Sequence, residues 1–139
     1  AGGEVLTRRQ SFEPWFRAGA FDIVQPDVTK CGGISEERRI ARSANEHGIK
    51  FIPHGWNTAL GLAADLQLAS AFPGTDLVEY LTGSPFIDEI AAGGWTLDAD
   101  GMLPIPAKPG LGVEVNLDAL AEHSRTPPAE LRALLKADR

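Results

Sequence analysis

The chain is expected to fold as α/β, with short parallel strands separated by helices. Three observations predict this. Short apolar runs end on a proline or a titratable residue at 22–26, 49–52 and 77–80. The stretches between them carry apolar residues at three-to-four spacing, the period of a helix with one buried face. The chain has 139 residues, 43% hydrophobic and 23% charged, enough for one sizeable core and too few for two full domains. Short apolar strands alternating with helices of about ten to fifteen residues mean βα units and a parallel sheet covered on both faces.

The elements follow in order. Residues 1–4 read as the tail of a strand, and 9–18 as a helix with Phe12, Trp15 and Phe16 on one side. Residues 22–26 form the next strand, closed by Pro26. After Cys31-Gly32-Gly33-Ile34, Ser35 is the expected N-cap of a helix over 35–47, with Glu36 and Glu37 in its first turn. Ile40, Ala41 and Ala44 mark its buried face and Gly48 its C-cap. Residues 49–52 make a strand that stops at Pro53-His54. Thr58 caps a second long helix whose apolar positions include Leu60, Leu62, Ala63, Leu66 and Leu68, ending before Pro73-Gly74. Residues 77–80 complete the series of strands.

Beyond residue 80 the rhythm breaks. Residues 82–116 are rich in Gly and Pro, with a β-like piece at 95–98 and a hairpin turn at Asp98-Ala99-Asp100-Gly101. A short helix is expected over 116–123. A final amphipathic helix (Leu131, Leu134, Leu135) is expected after Thr126-Pro127-Pro128.

Composition excludes several functions. Thirteen basic against nineteen acidic residues, a net charge of −6, argue against nucleic acid or an anionic membrane as partner. No apolar run approaches the ~18 residues a membrane span needs. A single cysteine, Cys31, excludes an internal disulfide framework and a cysteine-based zinc site. The opening Ala1-Gly2-Gly3-Glu4 has the form of neither a signal peptide nor an initiator Met, and a cytoplasmic location is expected.

The residues at the C-terminal ends of the four expected strands are Glu4, Asp27, His54 and Glu79, spaced by 23, 27 and 25. One βα unit separates each from the next, so all four fall on the rim where parallel α/β folds place their active sites. Each has an ordinary reading alone: Glu4 a solvated loop residue, Asp27 a turn former or helix cap, His54 a structural histidine, Glu79 the exposed face of an edge strand. Four such residues in register on successive units form a functional pattern. A carboxylate on one strand end fixes the tautomer of a histidine on the next and makes it a better base. A glutamate kept protonated by burial donates a hydrogen bond to a developing oxyanion. Glu4 is free to bind a hard cation such as Mg²⁺, although one carboxylate does not hold it.

Gly2-Gly3-Glu4, Asp22 to Asp27 with Lys30 to Ile34, Pro53-His54-Gly55-Trp56-Asn57 and Val78-Glu79-Tyr80 together resemble the enolase superfamily. More narrowly, they resemble its mandelate racemase/muconate lactonising branch. Gly101-Met102-Leu103 and Lys108 to Glu114 are similar to that branch's C-terminal segment, so the resemblance covers about residues 1–120. It implies the C-terminal half of a (β/α) TIM-type barrel, about strands five to eight. The implied division is a partial barrel over 1–103, a segment at 104–123 that packs on a capping domain, and a helical tail at 124–139.

The implied chemistry is removal of the proton next to a carboxylate, giving an ene-diolate held by Mg²⁺. By motif, Glu4 matches the last of three metal ligands, His54 the catalytic base or acid, Asp27 its dyad partner, and Glu79 the glutamate on the substrate carboxylate. Lys30 stands where a basic residue often occurs, read here as a rim charge near the anionic substrate. Trp56 and Asn57 are expected to line the substrate pocket, with core packing the other reading of Trp56. The other two metal ligands and a second-strand Lys-x-Lys belong to strands one to four, and substrate selection to a capping domain. The parent enzyme is expected to be a homo-oligomeric dehydratase of aldonate- or aldarate-type sugar acids, and the piece alone inactive with an exposed sheet edge. The alternatives are a racemase, epimerase or cycloisomerase of the same superfamily, and an inactive half-barrel.

Overall fold

The computed structural model describes residues 1–126, 129, 130, 133 and 134. Its elements are α1 (Arg9–Arg17), β1 (Ile23–Val24), α2 (Val28–Cys31), α3 (Ile34–Glu46), β2 (Lys50–Phe51), α4 (Ala59–Ser70), α5 (Pro85–Asp88) and α6 (Leu117–His123). This is the expected α/β alternation of a partial barrel. β1 and β2 are parallel, with Ile23 opposite Lys50 and Val24 opposite Phe51. Residues 1–4 contribute a single parallel bridge, Gly2 to Val24, so the order across the sheet is Gly2, β1, β2. Ladder bonds run past the short strands: Ile52 N–H donates to the Val24 carbonyl at 3.1 Å and His54 N–H to that of Pro26 at 2.9 Å.

The core follows from the apolar pattern. Phe12 and Phe16 of α1, Ile40, Ala41 and Ala44 of α3, and Leu68 of α4 close over Val24, Ile49 and Phe51. Trp15 departs from expectation. It lies at the margin of the Phe12–Phe16 stripe, 49% exposed, against Phe21. Helix α4 is buried on nearly every side, as a helix between the sheet and a covering loop must be, and only Leu60 of its expected apolar positions is exposed. That loop is the Gly- and Pro-rich region. Val78, Tyr80, Leu81, Trp95 and Leu103 pack on Leu62, Leu66 and Ile87, while Val115 and Leu120 pack on Ala59, Ile90 and Ala91.

Four local expectations need correction. Helix α3 starts one residue early, capped by Gly33 rather than Ser35. Gly32 (φ 117°) and Gly33 (φ 81°) let the chain end α2 and enter α3 without a linker, a path that strains other residues. At the other end the cap is His47, with left-handed Gly48 following it. Residues 77–80 lie beside the end of β2 but form no ladder with it: the Gly55 N–H goes to the Glu79 carboxylate and the Phe51 carbonyl accepts the Thr75 hydroxyl, so side chains take the groups a ladder would use. Residues 95–98 are likewise no strand, though the turn after them forms, with Asp98 N–H bonded to the Met102 carbonyl at 3.0 Å.

The short helices α2 and α5 were not anticipated; α6, capped by Asn116, was. Leu131 and Leu135 of the expected final helix lie outside the described residues. Among the described residues no helix is long and apolar enough to cross a membrane.

Candidate active site

Register makes the site. Val24 pairs with Phe51, so the residues three places further on, Asp27 and His54, come side by side at the C-terminal rim. Asp27 is fully buried and divides its two oxygens between two tasks. Oδ1 caps α2, accepting the Thr29 N–H at 2.8 Å and the Thr29 hydroxyl. Oδ2 faces His54 Nδ1 at 3.0 Å and Lys30 Nζ at 3.1 Å. Asp27 therefore caps α2 and contacts His54 at the same time. Burial pushes its carboxyl up, but hydrogen bonds from Thr29, His54 and Lys30 outweigh this and hold it below the usual carboxylate value. An ionised acceptor at Nδ1 makes that nitrogen the N–H donor and leaves Nε2 as the basic one.

Glu79 completes the cluster. Its Oε2 lies 3.9 Å from His54 Nε2 and accepts the Gly55 N–H at 2.9 Å. The expectation of a buried Glu79 fails, since 46% of its side chain is exposed. The backbone approach here is close. A Cβ on Gly55 would overlap the Glu79 carbonyl. Gly55→Ala is therefore expected to push the two segments apart and lower the unfolding free energy by about 1–3 kcal/mol, read from a denaturant midpoint. An unchanged midpoint would show that the approach is not obligatory.

Glu4 lies in the turn just past the Gly2 bridge, on the same edge as Asp27 and next to it in strand order. The sheet order thus runs Glu4, Asp27, His54 along the rim, and Glu79 joins them through the Gly55 N–H bond rather than through a ladder. Trp56 is 72% exposed beside the cluster, so core packing is excluded for it. Asn57, expected to line the substrate pocket, points its side chain inward toward α4. Its carboxamide donates to the His54 carbonyl at 3.3 Å and to Asp65 Oδ2 at 3.4 Å, and its oxygen is buried.

Whether these residues fit a Mg²⁺ ion is decided by the donor set. A hard cation takes about six oxygen ligands, and among the described residues no group of three His, Cys, Asp or Glu is placed to hold a metal. Glu4 alone does not make that site.

Behind the rim lies a second acidic group that sequence reasoning missed. Glu37 of α3 and Asp65 of α4 are both buried. Burial, with Asp65 and Asp27 nearby, pushes Glu37 up to about 9. Burial likewise pushes Asp65 up to about 8, against a hydrogen bond from Asn57. The same surroundings push the Cys31 thiol to about 12 through burial and the neighbouring Glu37 and Asp27, which leaves it unreactive.

Comparison with known proteins fits this geometry. The family model described as "Enolase C-terminal domain-like" matches residues 1–119. The chain belongs to the enolase C-terminal domain-like family. Within this family it falls in the mandelate racemase/muconate lactonising branch. It is 38% identical over 138 residues to D-galactarolactone cycloisomerase of Agrobacterium fabrum, a match covering 92% of this chain and 36% of that protein. Against D-galactonate dehydratase of Variovorax paradoxus it is 33% identical over 135 residues, covering 92% and 35%. A solved structure, a mandelate racemase/muconate lactonizing enzyme from Sulfitobacter sp., superposes with a TM-score of 0.76 at 30% identity, covering 90% of this chain and 31% of that one. The chain thus spans about a third of the length of the relatives it matches.

In this enolase C-terminal domain-like chain, two further residues support the site. Thr29 holds Asp27 through its backbone and hydroxyl, a local Asp-x-Thr turn that was readable in the sequence. Gly55 supplies the N–H that fixes Glu79. Its need to be glycine comes from a segment 24 residues away, which no local pattern carries.

Proposed function

We propose that this chain supplies the base-bearing rim of an enzyme that removes the proton α to the carboxylate of a sugar acid, and that the reaction is dehydration. The single observation behind this is the His54–Asp27 pair at the sheet rim with Glu79 beside Nε2. Asp27 holds the Nδ1–H, so Nε2 takes the α-proton, and Glu79 in its protonated form donates a hydrogen bond to the substrate carboxylate as it becomes electron-rich. The protonated Nε2 then gives its proton to the departing β-hydroxyl, and the resulting enol tautomerises to a 2-keto-3-deoxy acid. Trp56 offers an aromatic face to the sugar's C–H edge, and Lys30 a positive charge at the rim. Glu4 is proposed as one Mg²⁺ ligand, with the others supplied by segments outside this chain.

A second reading, cycloisomerisation, is favoured by one specific observation, the 38% identity to a D-galactarolactone cycloisomerase. Both reactions share the enolisation and differ in what leaves the β-carbon. The test is co-expression of this chain with the N-terminal two thirds of that relative, followed by a screen of aldonates, aldarates and their lactones with Mg²⁺. Formation of a 2-keto acid from an open-chain acid supports dehydration. Lactone turnover without it supports cycloisomerisation. A purified complex that turns over neither class would overturn both.

A further inference from the structure

We propose that Asp65 and Asn57 form a buried acid–amide pair that holds His54 in register with Asp27, which makes both of them positioning residues of the rim site. Asn57 is the link, donating from one nitrogen to the His54 carbonyl at 3.3 Å and to Asp65 Oδ2 at 3.4 Å. The remaining oxygens of both groups, Asn57 Oδ1 and Asp65 Oδ1, are buried without a partner. Two acceptors left unpaired in the interior are costly. One proton on Asp65 resolves both, because a neutral carboxyl accepts through one oxygen and donates through the other, the complement of a primary amide.

The surroundings favour that proton. The titratable groups facing Asp65 are Glu37 from α3, Asp27 and Cys31 from the start and end of α2, and Glu79 from the segment after α4. All are acids, and Asp65 is pushed up to about 8, so it is neutral at pH 7. Helix α4 is shaped to receive the amide. A Cβ on Gly61 would overlap the Asn57 carboxamide, while Thr58 caps the helix at that same Gly61. The hydrogen bonds thus tie the loop bearing His54 to helix α4 behind it.

The catalytic role of His54 rests on the function proposed above, but its positioning does not, so the test reads the imidazole directly in this 139-residue chain. Nitrogen-15 NMR of His54 is expected to show a slowly exchanging Nδ1–H at pH 7. Asn57→Ala and Asp65→Leu are expected to lose that signal, or to speed its exchange at least tenfold, while the Ile40 methyl keeps its native shift. Asp65→Asn, which rebuilds the pair as amide on amide, is expected to keep it. In a Glu37→Gln background, where the second buried acid no longer titrates, raising the pH to 9.5 is expected to lose the signal with Asp65 present and to spare it with Asp65→Asn. Persistence of the signal in folded Asn57→Ala overturns the proposal. If that variant does not fold, identical pH behaviour of the Asp65 and Asp65→Asn proteins overturns it instead. Absence of turnover in the co-expressed enzyme, with the Nδ1–H signal intact in the unaltered chain, would count against the catalytic reading alone.

Discussion

Raising the pH from about 5 to about 9 is expected to destabilise the fold steeply, lowering the denaturant midpoint throughout. Glu37 ionises at 4.5 in the unfolded chain and at about 9 in the folded one, and Asp65 at 3.8 and about 8. Within those windows the native state holds protons that the unfolded state has released. Each group then removes about 1.4 kcal/mol of stability per pH unit. The contribution is whole below the unfolded values and gone once the pH passes the folded ones. Against a total stability of about 5–15 kcal/mol for an ordinary domain, the two together dominate the alkaline side. Asp27 works in the opposite sense. Its folded value is lowered, so its contribution is lost as the pH falls below 3.8. An optimum near pH 4–5 results. Glu37→Gln with Asp65→Asn is expected to flatten the alkaline slope. A midpoint that holds or rises between pH 5 and 9 in the unaltered chain would contradict this account of the interior.

Replacing His54 by asparagine is expected to have the largest effect on turnover. The change removes the basic nitrogen while leaving an N–H that reaches Asp27 Oδ2. A positioned general base contributes about 10²–10⁴-fold, and a loss of that size is expected in 2-keto acid formation by the co-expressed enzyme, with little change in unfolding midpoint. Asp27→Asn is expected to fall in the same range, because an amide no longer fixes the Nδ1–H tautomer. In serine proteases the corresponding aspartate-to-asparagine change costs about 10⁴-fold. Since the two residues act as one unit, the double variant should lose hardly more than either single one. Turnover by His54→Asn within a few-fold of the unaltered enzyme would place the base elsewhere.

Much of this was legible in the sequence because it is periodic. The alternation of apolar runs with helical patterns predicted the parallel sheet, and the spacing of Glu4, Asp27, His54 and Glu79 by 23, 27 and 25 residues predicted that one βα unit separates each from the next. The His54–Asp27 contact follows from that spacing once Val24 pairs with Phe51. What escaped depends on contacts between distant segments. Trp15 sits at a helical spacing that suits either a core or an edge, and only the position of Phe21 decides between them. The strand expected at 77–80 has the right composition, but the Glu79 and Thr75 side chains take the backbone groups of the neighbouring segment that a ladder would use. Asn57 resembled a pocket residue because it follows His54, yet Gly61 opens a slot in α4 that draws its side chain inward. The sequence marks Glu37 only as a first-turn acid of its helix, and nothing in it singles out Asp65. Their burial comes from α3 and α4 packing against one another, which no single helical pattern reveals.

The central claim is that this rim takes the proton α to a carboxylate, and an isotope label tests it most directly. A sugar acid carrying deuterium at that carbon is turned over by the co-expressed enzyme with Mg²⁺ in ordinary water, and the product is weighed by mass spectrometry. The account predicts that the label is lost to solvent, that turnover is slower than with the unlabelled acid, and that His54→Asn stops the loss. A product that carries the deuterium on the neighbouring carbon, at an unchanged rate in His54→Asn, would mean that the α-hydrogen moves without a base in this site, and the role given to His54, Asp27 and Glu79 would be wrong.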